Sequence, residues 1–428
     1  MLDKKFILTN IEAVKANVAA RRMQIDLDRF VALAEARKRS EQQLQDLNRE
    51  ANAIAASRSR QATAADEEAR ARARTLRDEI ARVKEQVVAT AEEFDALHAA
   101  IPNMTDGRAP IGDTDAANLV LGYGETPVRT FDFAPQDHLA LGKALDLIDM
   151  EAGSRVSGHG FYYLKNEAVL LDLALQRYAL DVLARHGFTL VATPDMARMG
   201  VIGGTGFAPR GSETQIYQIA GTDLGLIATS EITLCGMYAS HTFDASALPL
   251  KLAGFSHCFR TEAGSHGRET RGLYRVHQFS KVEMFGFTTP DQSEAMHQHF
   301  LDVERAIFDG LQIPYSFVEN ATGDLGAAAY RKFDLEAWMP GRGDGGEWGE
   351  VTSASNCTDY QARRLDIRYR PADGKAAFAH TLNGTAIATS RALIAVMENH
   401  QNAAGGIDIP PALQPFVGLK EISARRDR

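Results

Sequence analysis

Cysteine is scarce in this sequence, with three among 428 residues: Cys235, Cys258 and Cys357. They form no Cys-x-x-Cys pair, which excludes a disulfide scaffold, argues against a zinc site built from cysteine alone and suits a reducing compartment. No apolar run approaches the ~20 residues of a membrane-spanning helix. The first ten residues also lack the apolar core of a signal peptide. We therefore expect a cytoplasmic protein without a membrane segment.

Two common nucleotide-binding signatures are missing as well. No GxGxxG follows a strand-like run and no GxxxxGK[ST] occurs, so a dinucleotide fold or a P-loop is not supported. The net charge of −9 argues against general, non-specific nucleic-acid binding, although a local basic surface stays possible. With 45% hydrophobic and 24% charged residues, the composition is that of a globular chain with about two or three domains.

A long polar stretch over residues 28–100 contains neither glycine nor proline. Its apolar residues recur at steps of three and four in two segments, separated by the turn-like SRSRQATAAD. One narrow stripe per helix predicts an antiparallel coiled-coil hairpin. The stripes are Phe30, Leu33, Leu44, Leu47, Ala51 and Ile54, then Leu76, Ile80, Val83, Val87, Ala91, Phe94 and Leu97.

The hairpin tip, residues 58–77, carries six arginines against three acidic residues, a local balance of +3. The commonest use of a coiled coil is dimerisation or spacing, and that interpretation stays open. Because arginine binds phosphate well, the tip also favours contact with nucleic acid. The arginines are Arg58, Arg60, Arg70, Arg72, Arg74 and Arg77.

The rest of the chain has mixed character. Strand-like runs dominate the middle and helices flank them, which predicts an α+β fold with an antiparallel sheet and helices packed on it. We predict a helical arm over 1–103, a linker over 104–136 and a sheet domain over 137–428. Within the sheet domain we predict helices over 169–186 and 391–400 and strands over 188–192, 215–219, 226–228, 250–259, 282–288 and 315–318.

Charged residues gather around a strand that ends at Arg260. Because apolar residues flank this arginine, burying its charge would be costly unless it is paired. The returning strand carries Lys281 and Glu283 among apolar residues, and strand alternation places one such set on a single face. Cations, carboxylates and an aromatic ring together suit an anionic, aromatic ligand such as ATP, whereas the alternative is a solvated hairpin loop. Four arginines lie within sixteen residues: Arg260, Arg268, Arg271 and Arg275.

Three further segments could carry chemistry. Thr229-Ser230-Glu231 places a carboxylate after an apolar run, although a helix cap is the commoner meaning of such a tripeptide. Glu350 and Ser353 supply hard oxygens of the kind Mg²⁺ prefers, in a segment that could also be a polar loop. Arg391 opens an apolar helix, against the preference of cations for helix C-termini, and a phosphate there would satisfy both the arginine and the helix.

These motifs resemble those of seryl-tRNA synthetases, which are class II aminoacyl-tRNA synthetases, and most of all their organellar and related bacterial branch. The resemblance covers nearly the whole chain, including FRTEAGSHGRETRGLYRVHQFSKVEMF, TSASNCTDYQARRLDIRYR and HTLNGTAIATSRALIAVMENHQ. It implies activation of L-serine with ATP and Mg²⁺ to seryl-adenylate, release of pyrophosphate and transfer of serine to the 3′ end of tRNA(Ser). Use of tRNA(Sec) stays open. The resemblance also implies a homodimer with Pro194 at its interface.

Residue roles follow from the same resemblance. Arg260 would bridge the serine carboxylate and the α-phosphate, and Arg391 would bind the γ-phosphate; these are the two predicted catalytic residues. The predicted ATP contacts are Arg260, Thr261, Glu262, Arg275, Val276, Phe279, Glu350, Ser353 and Arg391, with Glu350 and Ser353 also on the metal. The predicted serine contacts are Thr229, Ser230, Glu231, Arg260, Glu283, Asn383 and Thr385. Among these, Glu283 and Thr385 would receive the serine hydroxyl, and the arm would grip the tRNA.

The sequence departs from the family pattern in three places, one of which is the segment Cys235-Gly236-Met237. In the other two, Ser230 stands where alanine is common and Thr389-Ser390 stands where glycine is frequent. None of the three changes removes a charged contact. One alternative is a paralogue that delivers activated serine to a non-tRNA acceptor, which the retained arm disfavours. Another is a non-catalytic RNA-binding or regulatory relative, which the retained Arg260, Glu262, Glu350 and Arg391 disfavour.

Overall fold

The computed structural model describes residues 1–57, 64–207, 215–263, 272–372 and 374–423. The chain divides into two compact units, Met1–Pro102 and Asn103–Arg428. Across the described ranges, no helix combines the length and the apolar character needed to cross a membrane.

The first unit is helical, and its two long helices pair as an antiparallel hairpin. The rings of Phe30 and Phe94 stack with centroids 4.6 Å apart, and Arg29 donates to both oxygens of Glu93 at 2.7 and 2.6 Å. The predicted apolar stripes are buried or half-buried along both helices, so the coiled-coil prediction is confirmed. The helices are α1 (Lys4–Thr9), α2 (Ile11–Ala20), α3 (Leu27–Ser57) and α4 (Ala64–Ala100).

A large, mainly antiparallel sheet organises the second unit, in the order β1-β10-β11-β12-β15-β9-β8-β4. Among the described strands of this sheet, β4 and β8 pair in parallel and the other neighbours pair antiparallel. The strands are β1 (Leu119–Tyr123), β2 (Ile148–Asp149), β3 (Tyr163–Leu164), β4 (Thr189–Ala192), β5 (Met196–Arg198), β6 (Leu224–Leu226), β7 (Thr242–Asp244), β8 (Leu250–Phe259), β9 (Gln278–Thr288), β10 (Tyr315–Glu319), β11 (Arg331–Met339), β12 (Glu347–Asn356), β13 (Arg368–Arg370), β14 (Ala377–Phe378), β15 (His380–Ala388), β16 (Ile407–Asp408) and β17 (Glu421–Ile422).

Helices cover one face of this sheet, where α7, α10 and α12 pack against its central strands to form the main core. The helix α7 buries Leu171, Leu175, Tyr178 and Val182, which recur at helical spacing and explain the amphipathic pattern of the sequence. The helices are α5 (His138–Ala144), α6 (Met150–Ser157), α7 (Glu167–Arg185), α8 (Met199–Thr205), α9 (Glu231–Gly236), α10 (Ser293–Gly310), α11 (Tyr360–Leu365), α12 (Thr389–Asn399) and α13 (Gln414–Val417).

Most predicted elements of the second unit are present, and β8 matches its predicted bounds. The strand predicted over 215–219 is wrong, because this segment forms only an isolated bridge between Gln218 and Gly225 and gains no ladder. The strand predicted over 226–228 ends at Leu226. Residues 104–136, predicted as a linker, contribute the edge strand β1, which pairs with β10.

Candidate active site

Two β-bulges bring the polar residues of β12 and β15 onto the face of the sheet opposite α7, α10 and α12. In β12 the residue Val351 is extra, since Thr352 pairs with Leu335 while Glu350 pairs with Glu336. A bulge reverses the alternation of side chains, so Glu350 shares a face with Ser353, three positions away. In β15 the pairing skips Ala386 in the same way.

These strands line a cavity of about 420 Å³. Lining residues come from β9, β11, β12 and β15, from the start of α9 and from the start of α12. Most residues predicted from the sequence meet there: Thr229, Glu231, Arg260, Glu262, Arg275, Val276, Phe279, Glu283, Glu350, Ser353, Asn383, Thr385 and Arg391.

Two predicted residues do not line the cavity. Ser230 donates its hydroxyl to the carbonyl of Gly254 at 3.1 Å, so this side chain is tied to β8. The backbone N–H of Thr261 donates to the carbonyl of Gln215 at 3.1 Å. The helix-cap alternative for this tripeptide also has a counterpart in the structure: α9 begins at Glu231, Ser230 makes no side-chain cap hydrogen bond, and Thr229 Oγ1 accepts from the Glu231 N–H at 3.2 Å.

At one end of the cavity, Tyr274 lies between two guanidinium groups. The guanidinium carbon of Arg391 lies 4.5 Å from the centroid of the Tyr274 ring, and that of Arg342 lies 4.2 Å from it. Arg391 also donates to the carbonyls of Tyr274 and Glu350 at 3.3 and 2.9 Å. The Tyr274 hydroxyl donates to the Glu350 carbonyl at 3.2 Å, so the ring ties the arginine to β12.

The carboxylate of Glu350 faces this cationic end. Burial disfavours its ionisation, but the charges of Arg391, Lys332 and Arg260 outweigh that cost and lower the pKa of Glu350. A charged carboxylate beside the Ser353 hydroxyl offers hard oxygens on one face, which fits Mg²⁺ held partly by substrate phosphates. In the described ranges, no group of three or more His, Cys, Asp or Glu side chains forms an all-protein metal cage.

Between the two ends lies Arg260, whose guanidinium carbon is 5.3 Å from the centroid of Phe279. Its positive charge favours the ionised forms of both Glu231 and Glu350, which line opposite ends of the cavity, although other causes dominate at Glu231. Nearby, Arg275 contacts the carboxylate of Glu262 at 3.4 Å. Glu262 has φ +49°, a strained backbone conformation for a non-glycine residue of the kind often found at functional sites.

The other end is acidic and buried. Glu231 is 5% exposed and accepts on Oε1 from Gln361 at 2.6 Å and from Asn383 at 2.9 Å. Burial, reinforced by the charge of Glu283, raises the pKa of Glu231 to about 8. A cationic ligand beside it would favour the charged form, so this end of the cavity suits an ammonium group.

A second carboxylate in this region is held by a lysine and a threonine. Lys281 contacts Glu283 Oε2 at 2.5 Å, and the Thr385 hydroxyl donates to the same oxygen at 3.3 Å. Lys281 is not among the residues with a predicted role in the site. The alternation of Phe279, Lys281 and Glu283 along β9 is the signal that places it in the cavity.

Other lining residues escaped prediction altogether. Lys332 reaches the cavity from β11, beside Asp334 at 2.9 Å. No strand was predicted at β11, so its inward-facing side chains were not considered. Tyr274 has no predicted role either, since the sequence marks it only as the start of a strand-like run.

On the helical unit, Arg70, Arg74 and Arg77 are exposed. Arg72 is half-buried and donates to both oxygens of Glu50 at 2.7 and 2.9 Å, with Glu79 also in reach at 3.3 Å. The remaining predicted tip arginines, Arg58 and Arg60, lie outside the described residues.

Comparison with known proteins agrees with this arrangement. Residues 1–105 match the seryl-tRNA synthetase N-terminal domain, and residues 216–400 match the tRNA synthetase class II core domain (G, H, P, S and T). The chain is 52% identical to a serine–tRNA ligase of Rhodopirellula baltica over 98% of both chains, and 51% identical to that of Rubrobacter xylanophilus over 100% of both.

A solved structure supports the same conclusion. The seryl-tRNA synthetase of Pyrococcus horikoshii, complexed with ATP, superposes with a TM-score of 0.88 at 37% identity and covers 100% of both chains. Its full-length match includes the helical hairpin as well as the sheet. With about half of its residues shared with serine–tRNA ligases over its whole length, this chain belongs to the seryl-tRNA synthetase family.

Proposed function

We propose that this chain is a serine–tRNA ligase that activates L-serine with ATP and transfers it to the 3′ end of tRNA(Ser). One observation carries the proposal: a single cavity has a cationic end around Arg391 and an acidic end around Glu231, with Arg260 acting electrostatically on both. A nucleotide triphosphate suits the first end and an amino-acid ammonium suits the second.

The acidic end would hold serine in one orientation. Glu231 and Thr229 receive the ammonium group, and Glu283 with Thr385 receives the hydroxyl. The serine carboxylate then faces Arg260, which turns it toward the α-phosphate. Positioning of this kind supplies much of the barrier reduction when two bound substrates react.

The cationic end would hold ATP. Adenine stacks on Phe279 with Glu262 as acceptor for its amino group, while Arg275 and Arg391 bind phosphate oxygens. A serine carboxylate oxygen attacks the α-phosphorus, the bond to the bridging oxygen breaks, and pyrophosphate leaves with the electron pair. Negative charge grows on phosphate oxygens, which fixed cations stabilise without a protein nucleophile.

Glu350 and Ser353 are the residues that would hold Mg²⁺. When bound, the ion neutralises charge on the phosphates and on the leaving pyrophosphate. The low pKa of Glu350 supports this role, because the carboxylate stays charged over the working pH range.

Serine-dependent ATP–pyrophosphate exchange, run beside charging of total tRNA with labelled serine, tests the proposal. We expect both reactions. Exchange without charging would favour the alternative, transfer of activated serine to a non-tRNA acceptor, for which the relatives give no support. Absence of exchange would mean that the cavity has been misinterpreted.

For the helical arm, we propose tRNA binding over residues 1–103, with catalysis over 137–428. The exposed cations Arg70, Arg74 and Arg77 support it, since exposed arginines can contact phosphate. Changing all three to Gln should lower kcat/KM for tRNA charging about tenfold or more and flatten its salt dependence. Pyrophosphate exchange should not change; normal charging by this variant would contradict the role of the described part of the tip.

Homodimerisation is a further part of the proposal. The face of α7 opposite the core exposes Val169, Leu170 and Leu173 by 41%, 43% and 56%, and a partner chain would cover such side chains. Sedimentation of the purified chain should give a dimer, and Leu173→Glu should shift it toward monomer. A cytoplasmic location is expected from the substrates, tRNA and ATP.

A further inference from the structure

The ammonium of Lys281 is one of the most deeply placed charges of the cavity. Its side chain is 6% exposed, and that of its partner Glu283 is 2% exposed. Burying an ammonium costs several kcal/mol unless a counter-charge is close, so the two residues depend on each other. Both project from the same face of β9, two positions apart.

The contacts around Glu283 are unequal on its two oxygens. Oε2 receives Lys281 at 2.5 Å and the Thr385 hydroxyl at 3.3 Å. Lys281 also donates to Thr385 Oγ1 at 3.3 Å, which closes a triangle of three side chains. Among the hydrogen bonds of the described residues, none is made to Oε1. The triangle therefore fixes the carboxylate plane and leaves one oxygen for a ligand.

The lysine charge also acts on the second buried carboxylate of this end, Glu231. The negative charge of Glu283 adds to the burial that raises the pKa of Glu231, and Lys281 opposes that effect. Through its contact with Oε2, Lys281 also holds the Glu283 carboxylate in one orientation. Without the lysine, Oε2 would lose its shortest contact, and Oε1 would no longer be held in place for a ligand.

We propose that Lys281 is a specificity-determining positioning residue: it holds Glu283 as an oriented acceptor for the serine hydroxyl and so separates serine from alanine. This inference rests on the proposed function, which supplies serine as the ligand. Lys281 acts through Glu283 and does not itself contact the reacting atoms. A site that must hydrogen-bond a substrate hydroxyl rejects the analogue that lacks it far more strongly than an apolar pocket rejects a methylene.

The chain offers a matched control for mere structural support. Lys332 also lies in this cavity, also pairs with a carboxylate two positions along its strand, Asp334 at 2.9 Å, and has a side chain 16% exposed. Lys332→Met removes a comparable ion pair on β11 without touching Glu283. A general loss of cavity integrity should appear in both lysine variants, whereas a loss of serine selectivity should appear only at Lys281.

The test is kcat/KM in ATP–pyrophosphate exchange with serine and, separately, with alanine at high concentration. Lys281→Met should lower the serine-to-alanine ratio of kcat/KM about 10- to 100-fold, the equivalent of one hydrogen bond to a charged group. Lys281 also favours the charged form of Glu231, but a loss through Glu231 is common to both amino acids and leaves the ratio unchanged. Lys281→Arg, which keeps the charge, should recover part of the ratio. Lys332→Met should keep the wild-type ratio.

Coupling to Glu283 gives a second measurement. If Lys281 acts through Glu283, the double variant Lys281→Met/Glu283→Gln should have the same serine-to-alanine ratio as Glu283→Gln alone. The double variant removes both charges of the pair, so no buried charge is left without a partner. It can therefore be measured even if Lys281→Met alone does not fold. An additive loss would overturn the inference.

The two proposals fail in different ways. If the wild-type protein showed no serine-dependent exchange, the proposed function itself would be contradicted. Wild-type exchange with equal losses for serine and alanine in Lys281→Met would leave the function standing and reduce Lys281 to structural support.

Discussion

The helical hairpin and the cavity use the same pair of chemical groups, arginine or lysine with a carboxylate, in opposite environments. On the hairpin, Arg72 and Glu50 keep 41% and 42% of their side-chain surface exposed. In the cavity, Lys281 and Glu283 keep 6% and 2%. Water and salt screen the first kind of pair and hardly reach the second.

The difference predicts how function is distributed over the molecule. A buried charge cannot be removed without leaving its partner uncompensated, so single substitutions in the cavity should have large and specific effects. On the hairpin, neighbouring charges can replace one another, so binding should depend on the sum of exposed cations. The contrast between buried and exposed charges can be tested by substitutions whose expected effects on activity or stability run from the largest to the smallest.

The largest effect is expected at Arg260, which lies between the two ends of the cavity. Arg260→Ala should reduce pyrophosphate exchange about 10²- to 10³-fold, because a fixed cation is lost where charge develops in the transition state. Binding of tRNA should survive. Arg72→Ala on the hairpin is the control and should leave exchange unchanged; more than a tenth of wild-type exchange in Arg260→Ala would contradict the role assigned to it.

The next effect depends on pH. In the free protein, burial raises the pKa of Glu231 to about 8, so this carboxyl is mostly protonated below that pH and cannot pair with an ammonium. Because kcat/KM reports the free enzyme, its value for serine should rise with pH, by about tenfold per unit, and level off above 8.

Glu231→Gln provides the control for this profile. The amide does not titrate, so the variant should have a low kcat/KM for serine that is flat between pH 6 and 8. If the rising limb persisted in Glu231→Gln, a different group would be responsible for it.

These two sites also show how far sequence reasoning reached. The hairpin could be predicted almost completely, because a long apolar stripe with period 3.6 specifies it locally. In the cavity, the residue types could be predicted, but part of their geometry could not. Strand alternation alone would place Glu350 and Ser353 on opposite faces of the sheet. The bulge at Val351 brings both side chains onto the same face.

Bulges and pairing partners are properties of the assembled sheet, so no local sequence pattern predicts them. The same reason explains why β11, which brings Lys332 to the cavity, and the edge strand β1 were not predicted. It also explains the wrong strand at 215–219, where a strand-like sequence forms a single bridge, between Gln218 and Gly225, and is not continued into a ladder.

A smaller effect is expected at Tyr274, which contacts cations on the ring and β12 through its hydroxyl. Tyr274→Leu removes both ring contacts and should raise the KM for ATP about 3- to 10-fold, with little change in the KM for serine. Tyr274→Phe keeps the ring and loses only the bond to the Glu350 carbonyl, so it should stay within about threefold of wild type. An equal rise of the KM for ATP in Tyr274→Leu and Tyr274→Phe would show that the effect comes from the hydroxyl and not from the ring.

The smallest effect should come from the hairpin pair itself. Glu50→Gln removes the partner of Arg72 while Glu79 remains in reach at 3.3 Å, so the arginine keeps a counter-charge in a solvated position. We expect the thermal midpoint to move by no more than about 2 °C and the serine kinetics to stay at wild-type values. The change releases an arginine toward solvent, so tRNA charging at low salt should rise slightly or stay constant. A large loss of stability would show that this exposed pair behaves like the buried pairs of the cavity, and the contrast between the two regions would then have to be explained by something other than solvent exposure.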